Sequence, residues 1–193
     1  MPERPVPKPE TFVSVDIEAA GPVPSRYSML AIGACLVDDP QKTFYVELKP
    51  LHEAAIPRAL AIGGLSLEEL ERTGTDAEEA MQRFADWIDT VVPPSRAPVF
   101  VGFNAPFDWM FVDDYFERFE IANPFGHSAL DIKAYYMGRM GSTWAETSLK
   151  VLSPRYLEGR PLSHNALDDA RVQAELFRKI AADGGPDGRQ PEH

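Results

Sequence analysis

Residues 11–18 read TFVSVDIE, from Thr11 to Glu18, and the way this segment continues decides the fold. Phe12, Val13, Val15 and Ile17 carry the aromatic and β-branched weight of a strand. A turn rich in Gly and Pro follows, then a second apolar run at residues 29–37. Asp38-Asp39-Pro40 marks a tight turn into a third run, residues 43–48. Three strands in such quick succession predict an antiparallel meander. Beyond them the pattern changes to alternation. Thr75-Asp-Ala-Glu78 reads as a capping box opening an amphipathic helix, with apolar residues at 77, 80, 81, 84, 87, 88 and 91. Pro93-Pro94 closes that helix. Residues 98–103 predict a buried strand, 105–119 a helix, and a short strand ends near Asp131. The last helix carries Leu167, Ala170, Ala174, Phe177 and Ala181 on one face, with Ser163 as its expected cap. A meander followed by β-α alternation predicts an α/β fold, a mixed sheet flanked by helices.

The chain has 193 residues, 44% of them hydrophobic and 25% charged, which suits one globular domain with a sizeable core. Thirty acidic residues against nineteen basic ones leave a net charge of −11. That balance excludes broad electrostatic adhesion to duplex DNA or to an anionic membrane. It leaves nucleic acid open as a substrate, because bound cations reverse charge locally. No apolar run is long enough to span a bilayer, and no signal peptide is visible, so no membrane partner is expected. The single cysteine, Cys35, forms no internal disulfide, which agrees with a cytoplasmic location. Prolines at 2, 5, 7 and 9 predict that residues 1–10 form a disordered arm. Residues 183–193, DGGPDGRQPEH, predict a frayed tail, which leaves 11–182 as the domain.

Chemistry concentrates at three places. Asp16 and Glu18 lie two apart on the first strand, so both carboxylates project from one face. Crowding them is costly unless cations hold them together. Asp108 follows the strand 98–103 at a strand-to-helix junction, where open α/β sheets place ligands. His164 precedes the last helix, whose first turn holds Asp168 and Asp169. Each has an ordinary structural explanation alone. Acids at a strand end are solvated, and acids in a first helical turn favour the helix dipole.

Taken together, their order and spacing resemble the DEDD-type 3′-5′ exonucleases of the histidine-containing DEDDh subgroup. The Asp-x-Glu motif matches Asp16-Ile17-Glu18, and an Asn ahead of an aromatic-Asp pair matches Asn104 with Phe107-Asp108. A His with an Asp five residues on matches His164 and Asp169. The resemblance spans roughly residues 11–182 and implies an RNase H-like sheet. It further implies that Asp16, Glu18, Asp108 and Asp169 are metal ligands, with His164 as general base. Asp168, one residue before the matching ligand position, is left as a helix-start acid. Where many relatives carry threonines after the Asp-x-Glu, this chain has Ala19-Ala20.

The implied activity is metal-dependent hydrolysis of phosphodiester bonds at a free 3′ end of single-stranded or short nucleic acid, releasing nucleoside 5′-monophosphates. Hard oxygen ligands suit two Mg²⁺ or Mn²⁺ ions rather than zinc. An imidazole titrates near neutrality, as a base for water requires. Two other readings stay open: an inactive module binding nucleic acid or protein on the same fold, and a small-nucleotide phosphodiesterase. Trp144 and Tyr156 are expected as exposed stacking residues, and Phe103, Phe107 and Trp109 as core aromatics. Arg139, Lys150, Arg155 and Arg160 form the one basic stretch, a candidate phosphate clamp. The small relatives add an expectation of homodimerisation.

Overall fold

The computed structural model describes residues 7–184. The meander is β1 (Glu10–Ala19), β2 (Met29–Leu36) and β3 (Thr43–Glu47). Two short helices follow, α1 (Pro57–Gly63) and α2 (Leu67–Thr73), and then α3 (Ala77–Val91). The alternation continues through β4 (Ala97–Gly102), α4 (Ala105–Arg118), β5 (Ala129–Asp131) and α5 (Ile132–Met140). A short 3-10 turn, Trp144–Thr147, leads to α6 (Leu149–Tyr156), and α7 (Ala166–Ala182) closes the order. The sheet runs β3-β2-β1-β4-β5, with β1 antiparallel to β2 and parallel to β4. The expected mixed sheet is therefore present.

Each face of the sheet buries its own core. Val13, Val15 and Ile17 point to one face and pack with Phe84, Phe111 and Phe116 of α3 and α4. Val101 and Cys35 face the other side, toward Ile132, Leu152, Leu176 and Phe177 of α5, α6 and α7. Asp16 and Glu18 alternate with the first set, so they project toward α7. Cys35 is free and buried.

Several local expectations change. Thr75 does not cap α3: its N–H donates to the Glu47 carbonyl and its own carbonyl accepts from Lys49. That pairing commits Thr75 to extended backbone, and Asp76 takes the cap, accepting from the N–H groups of Glu78 and Glu79. Ser163 does not cap α7 either, because its hydroxyl is bonded to Asp169; Asn165 is the cap. The segment 132–157, to which the sequence reading assigns no element, is mostly helical, with Asp131 capping α5 and Gly141 ending it at a φ of 64°.

The arm expected over 1–10 shortens. The Pro9 carbonyl accepts from Ala97, Lys8 donates to the Pro94 carbonyl at 2.9 Å, and Glu10 already belongs to β1. Residues 1–6 of that arm lie outside the described residues. Asp183, expected to fray, is bonded by Arg155 and Tyr156, and the rest of the tail beyond 184 lies outside the described residues. Among the described residues, no helix is long and apolar enough to cross a membrane.

Candidate active site

The site opens where two strands part. Parallel pairing between β1 and β4 ends at Ser14 and Val101, while β1 runs on to Ala19 against β2 alone. Beyond that fork the backbone donors on the β4 side need other partners. The Ile17 N–H finds the Asp108 carboxylate at 3.0 Å, and the Phe103 N–H finds the Gln173 side-chain carbonyl at 2.8 Å. Gln173 in turn donates its amide to Asp16 at 2.5 Å. Satisfying the split thus brings α4 from one face and α7 from the other to the same point.

Asp108 arrives because α4 starts abruptly. Asn104 adopts a φ of 66° at the turn, and the Asp131 carboxylate accepts from the N–H groups of Asn104 and Ala105 at 2.9 and 3.2 Å. The same carboxylate accepts from Lys133 and Ala134, so one side chain caps two helices. Asp169 arrives through Gly33. This residue of β2 pairs with Asp16, and a Cβ on it would sit 2.2 Å from the α7 backbone at Ala166 and Leu167. The missing side chain lets the first turn of α7 lie directly on the sheet.

Asp169 is almost wholly buried and holds the loop before it. It accepts from the Ser163 N–H and hydroxyl at 2.6 and 2.9 Å and from the His164 N–H at 2.9 Å. His164 itself is exposed, with a left-handed φ of 60°. Glu18, His164 and Asp169 each offer a ligand atom, all within 4.8 Å of one another. On the far side of Glu18, α1 forms a wall: a Cβ on Gly63 would lie 3.1 Å from Oε2.

The electrostatics tie in the remaining two acids. Desolvation, then the charges of Asp108, Asp169 and Glu18, push Asp16 well above the usual carboxylate range, with Gln173 opposing. Glu18 rises from 4.5 to about 7, through burial and then Asp169. Burial raises Asp108 as well, with the Ile17 N–H working against it and Glu18 and Asp131 adding to it. None of the four acids forms an ion pair among the described residues. A desolvated set of oxygen ligands that lacks a counter-charge fits hard divalent cations.

Other expected residues fall elsewhere. Asp168 is exposed beside Arg171, as a helix-start acid should be. Three members of the basic stretch are engaged by protein: Arg139 donates to the carbonyls of Ile180, Ala181 and Asp183, Arg155 pairs with Asp183, and Arg160 with Glu175. The clamp reading fails for them, because helix-end carbonyls and carboxylates already hold the guanidinium groups. Lys150 alone of the four is exposed with no bond among the described residues. Tyr156 is buried rather than exposed, its hydroxyl donating to Asp183. Trp144 is 53% exposed. The sequence reading gives Gln173 and Gly33 no role and takes Asp131 only as the end of a strand.

A model of the Exonuclease family, of the RNase T type, matches residues 13–177. The 3′-5′ DNA exonuclease Cap18 of Escherichia coli is 49% identical over 175 residues, covering 89% of this chain and 91% of that protein. The PolC-type DNA polymerase III of Thermotoga petrophila is 30% identical over 179 residues, where 88% of this chain matches 12% of the polymerase. Among solved structures, the nuclease domain of 3′hExo, described as a DEDDh family member bound to rAMP, superposes with a TM-score of 0.71. It is 12% identical and covers 90% of this chain and 93% of that one. Escherichia coli exonuclease I in complex with a dT13 oligonucleotide gives 0.68 at 18% identity, over 91% of this chain and 42% of that one. The two structures speak for the fold, the family model and the 49% relative for descent: the chain belongs to the exonuclease family, among its 3′-5′ exonucleases.

Proposed function

We propose that this exonuclease removes nucleoside 5′-monophosphates one at a time from the 3′ end of single-stranded DNA, using two Mg²⁺ or Mn²⁺ ions. The supporting observation is the convergence of Asp16, Glu18, Asp108, Asp169 and His164 at the fork between β1 and β4. Kinship at 49% identity with a DNA exonuclease favours DNA over RNA. Divalent cations bound there would supply the counter-charge for the phosphate and a more acidic attacking water.

The protein's own residues do the rest. Asp16, Glu18, Asp108 and Asp169 hold the cations, with Gln173 fixing the rotamer of Asp16. His164, exposed on its left-handed turn, takes the proton from the attacking water. Asp169 holds the backbone of that turn, so ligand and base share one support. The α1 wall beside Glu18 stops the strand end. The enzyme belongs in this reading to the cytoplasm, and a homodimer is the assembly that the small relatives suggest; sedimentation measures its mass directly.

The test is hydrolysis of 5′-labelled dT12 and U12 side by side in Mn²⁺, with circular single-stranded DNA as a third substrate. Ladders shortening from the 3′ end, faster on dT12, are expected. Cleavage of the circle, or inertness toward both strands, overturns the reading.

A further inference from the structure

The segment 131–147 holds a pair of side chains that the catalytic cluster does not use. Lys133 places its ammonium 4.1 Å from the ring centre of Trp144 and 6.0 Å from that of Phe103. In a chain with thirty acidic residues, Lys133 forms no ion pair among the described residues. The nearest acid in sequence, Asp131, spends its oxygens on four backbone N–H groups. The ammonium is therefore left for an anion from outside. Trp144 is a large apolar ring kept half in water, with Lys133 over one face.

The platform is braced. Glu146 accepts from the N–H and hydroxyl of Thr143, both at 2.7 Å, and the buried Thr147 hydroxyl donates to the Trp144 carbonyl. A ring already fixed in place loses little freedom when a flat partner stacks on it. The platform also connects to the catalytic end. Lys133 lies against Phe103, whose N–H is held by Gln173, which holds Asp16. On that flank the Trp144 ring is exposed to solvent, whereas α1 stands against Glu18 on the other. A strand whose end meets the wall continues along the open side.

We propose that Trp144 and Lys133 form a subsite for a nucleotide of the remaining strand, upstream of the one that adjoins the scissile bond on its 5′ side and so absent from dT2, the base stacking on Trp144 and its phosphate meeting Lys133. The proposal rests on the exonuclease reading and adds to it where the remaining strand is held. Stacking on an aromatic face together with one cation is tolerant of base identity and needs an unpaired base. The subsite therefore favours single strands of any sequence.

The experiment compares kcat/KM across dT2, dT4, dT8 and dT12 for the parent, Trp144→Ala, Trp144→Phe and Lys133→Gln. In the parent, efficiency rises with length. Trp144→Ala raises KM on dT12 about tenfold, as loss of one stacked base does, and flattens the length profile. Trp144→Phe restores most of the loss. Lys133→Gln makes the log–log salt dependence of KM on dT12 shallower by about 0.7, the value of one phosphate contact on a single strand. An unchanged length profile in Trp144→Ala overturns the subsite, and so does an equal loss on every length. Should the parent cut no strand at all, the exonuclease reading fails instead. Anisotropy of fluorescein-labelled dT12 then still decides the subsite, by about tenfold weaker binding to Trp144→Ala or by none.

Discussion

Glu18 illustrates how a single carboxylate couples the site to stability. Its value of about 7 in the fold lies above the 4.5 of the unfolded chain. The fold therefore binds this proton more tightly than the unfolded chain does. Its contribution to stability is full below pH 4.5 and is lost as pH rises through 7. Asp16 and Asp108, both raised, act with the same sign. In EDTA the melting temperature should fall between pH 5 and pH 8, as read by calorimetry; a flat or rising curve would show that other groups dominate. Asp16→Asn removes one of the crowded charges and keeps the shape. In EDTA at pH 8 it should melt at or above the parent, and in Mn²⁺ below it, because only the parent gains the full binding free energy of the ions. A melting temperature several degrees lower in EDTA would instead make the Gln173 contact the larger effect. For His164, replacement by alanine should lower the rate by roughly 10²–10⁴, with the metal-induced rise in melting temperature intact. An unchanged rate would take proton transfer away from it.

The elements show why these positions work and which of them a sequence can reveal. Gly33→Ala puts a methyl group 2.2 Å from backbone that has nowhere to move, at the contact between β2 and α7. Overpacking of this kind costs about 1–3 kcal/mol. The melting temperature should drop by roughly 3–10 °C, and the rate should fall, since Asp169 moves with the helix. A variant with unaltered melting and rate would mean that the sheet yields instead. Gly33 was legible in principle, because a glycine inside an apolar strand signals close backbone approach. The carboxylates and His164 stood out because each motif is local, a few residues at a strand or helix end. Gln173 did not. A glutamine four residues past Asp169 reads as a solvated helical position, yet it lies on the buried stripe with Asp169, Ala170 and Phe177. Of the expected face, Ala170, Ala174 and Phe177 are buried, while its two ends are not: Leu167 is partly exposed and Ala181 exposed. The short helices α1 and α2 were missed for a different reason. Seven residues hold too few turns for periodicity to show, and their packing against Leu30 and Tyr27 is long-range. The arginines 139, 155 and 160 mislead because charge alone carries no partner; the partners lie along α7, at its last turn and Asp183 for Arg139 and Arg155 and at Glu175 for Arg160.

Across the whole molecule, cation binding and folding are one equilibrium. Four acids without a counter-charge keep the chelated protein less stable, so Mn²⁺ at about a hundred times its Kd should add about 2.7 kcal/mol. Activity should vanish in EDTA and return with the ion, and melting and activity should titrate together. If activity persists in excess chelator, the acids serve structure alone. The same span contains a mechanical constraint. One end of α7 rests on Gly33, and the other is gripped by Arg139, Arg155 and Tyr156 through the carbonyls of its last turn and through Asp183. A helix fastened at both ends is a ruler of fixed length. Inserting one alanine after Glu175 turns everything on one side by about 100° and shifts it by about 1.5 Å. Asp169 can then face Asp16 only if the far grip lets go. Such an insertion should abolish hydrolysis as fully as removing a carboxylate, although it touches none. Through evolution, the spacing between Asp169 and Asp183 is closed to insertions and deletions, and drift in chain length has to fall in other segments.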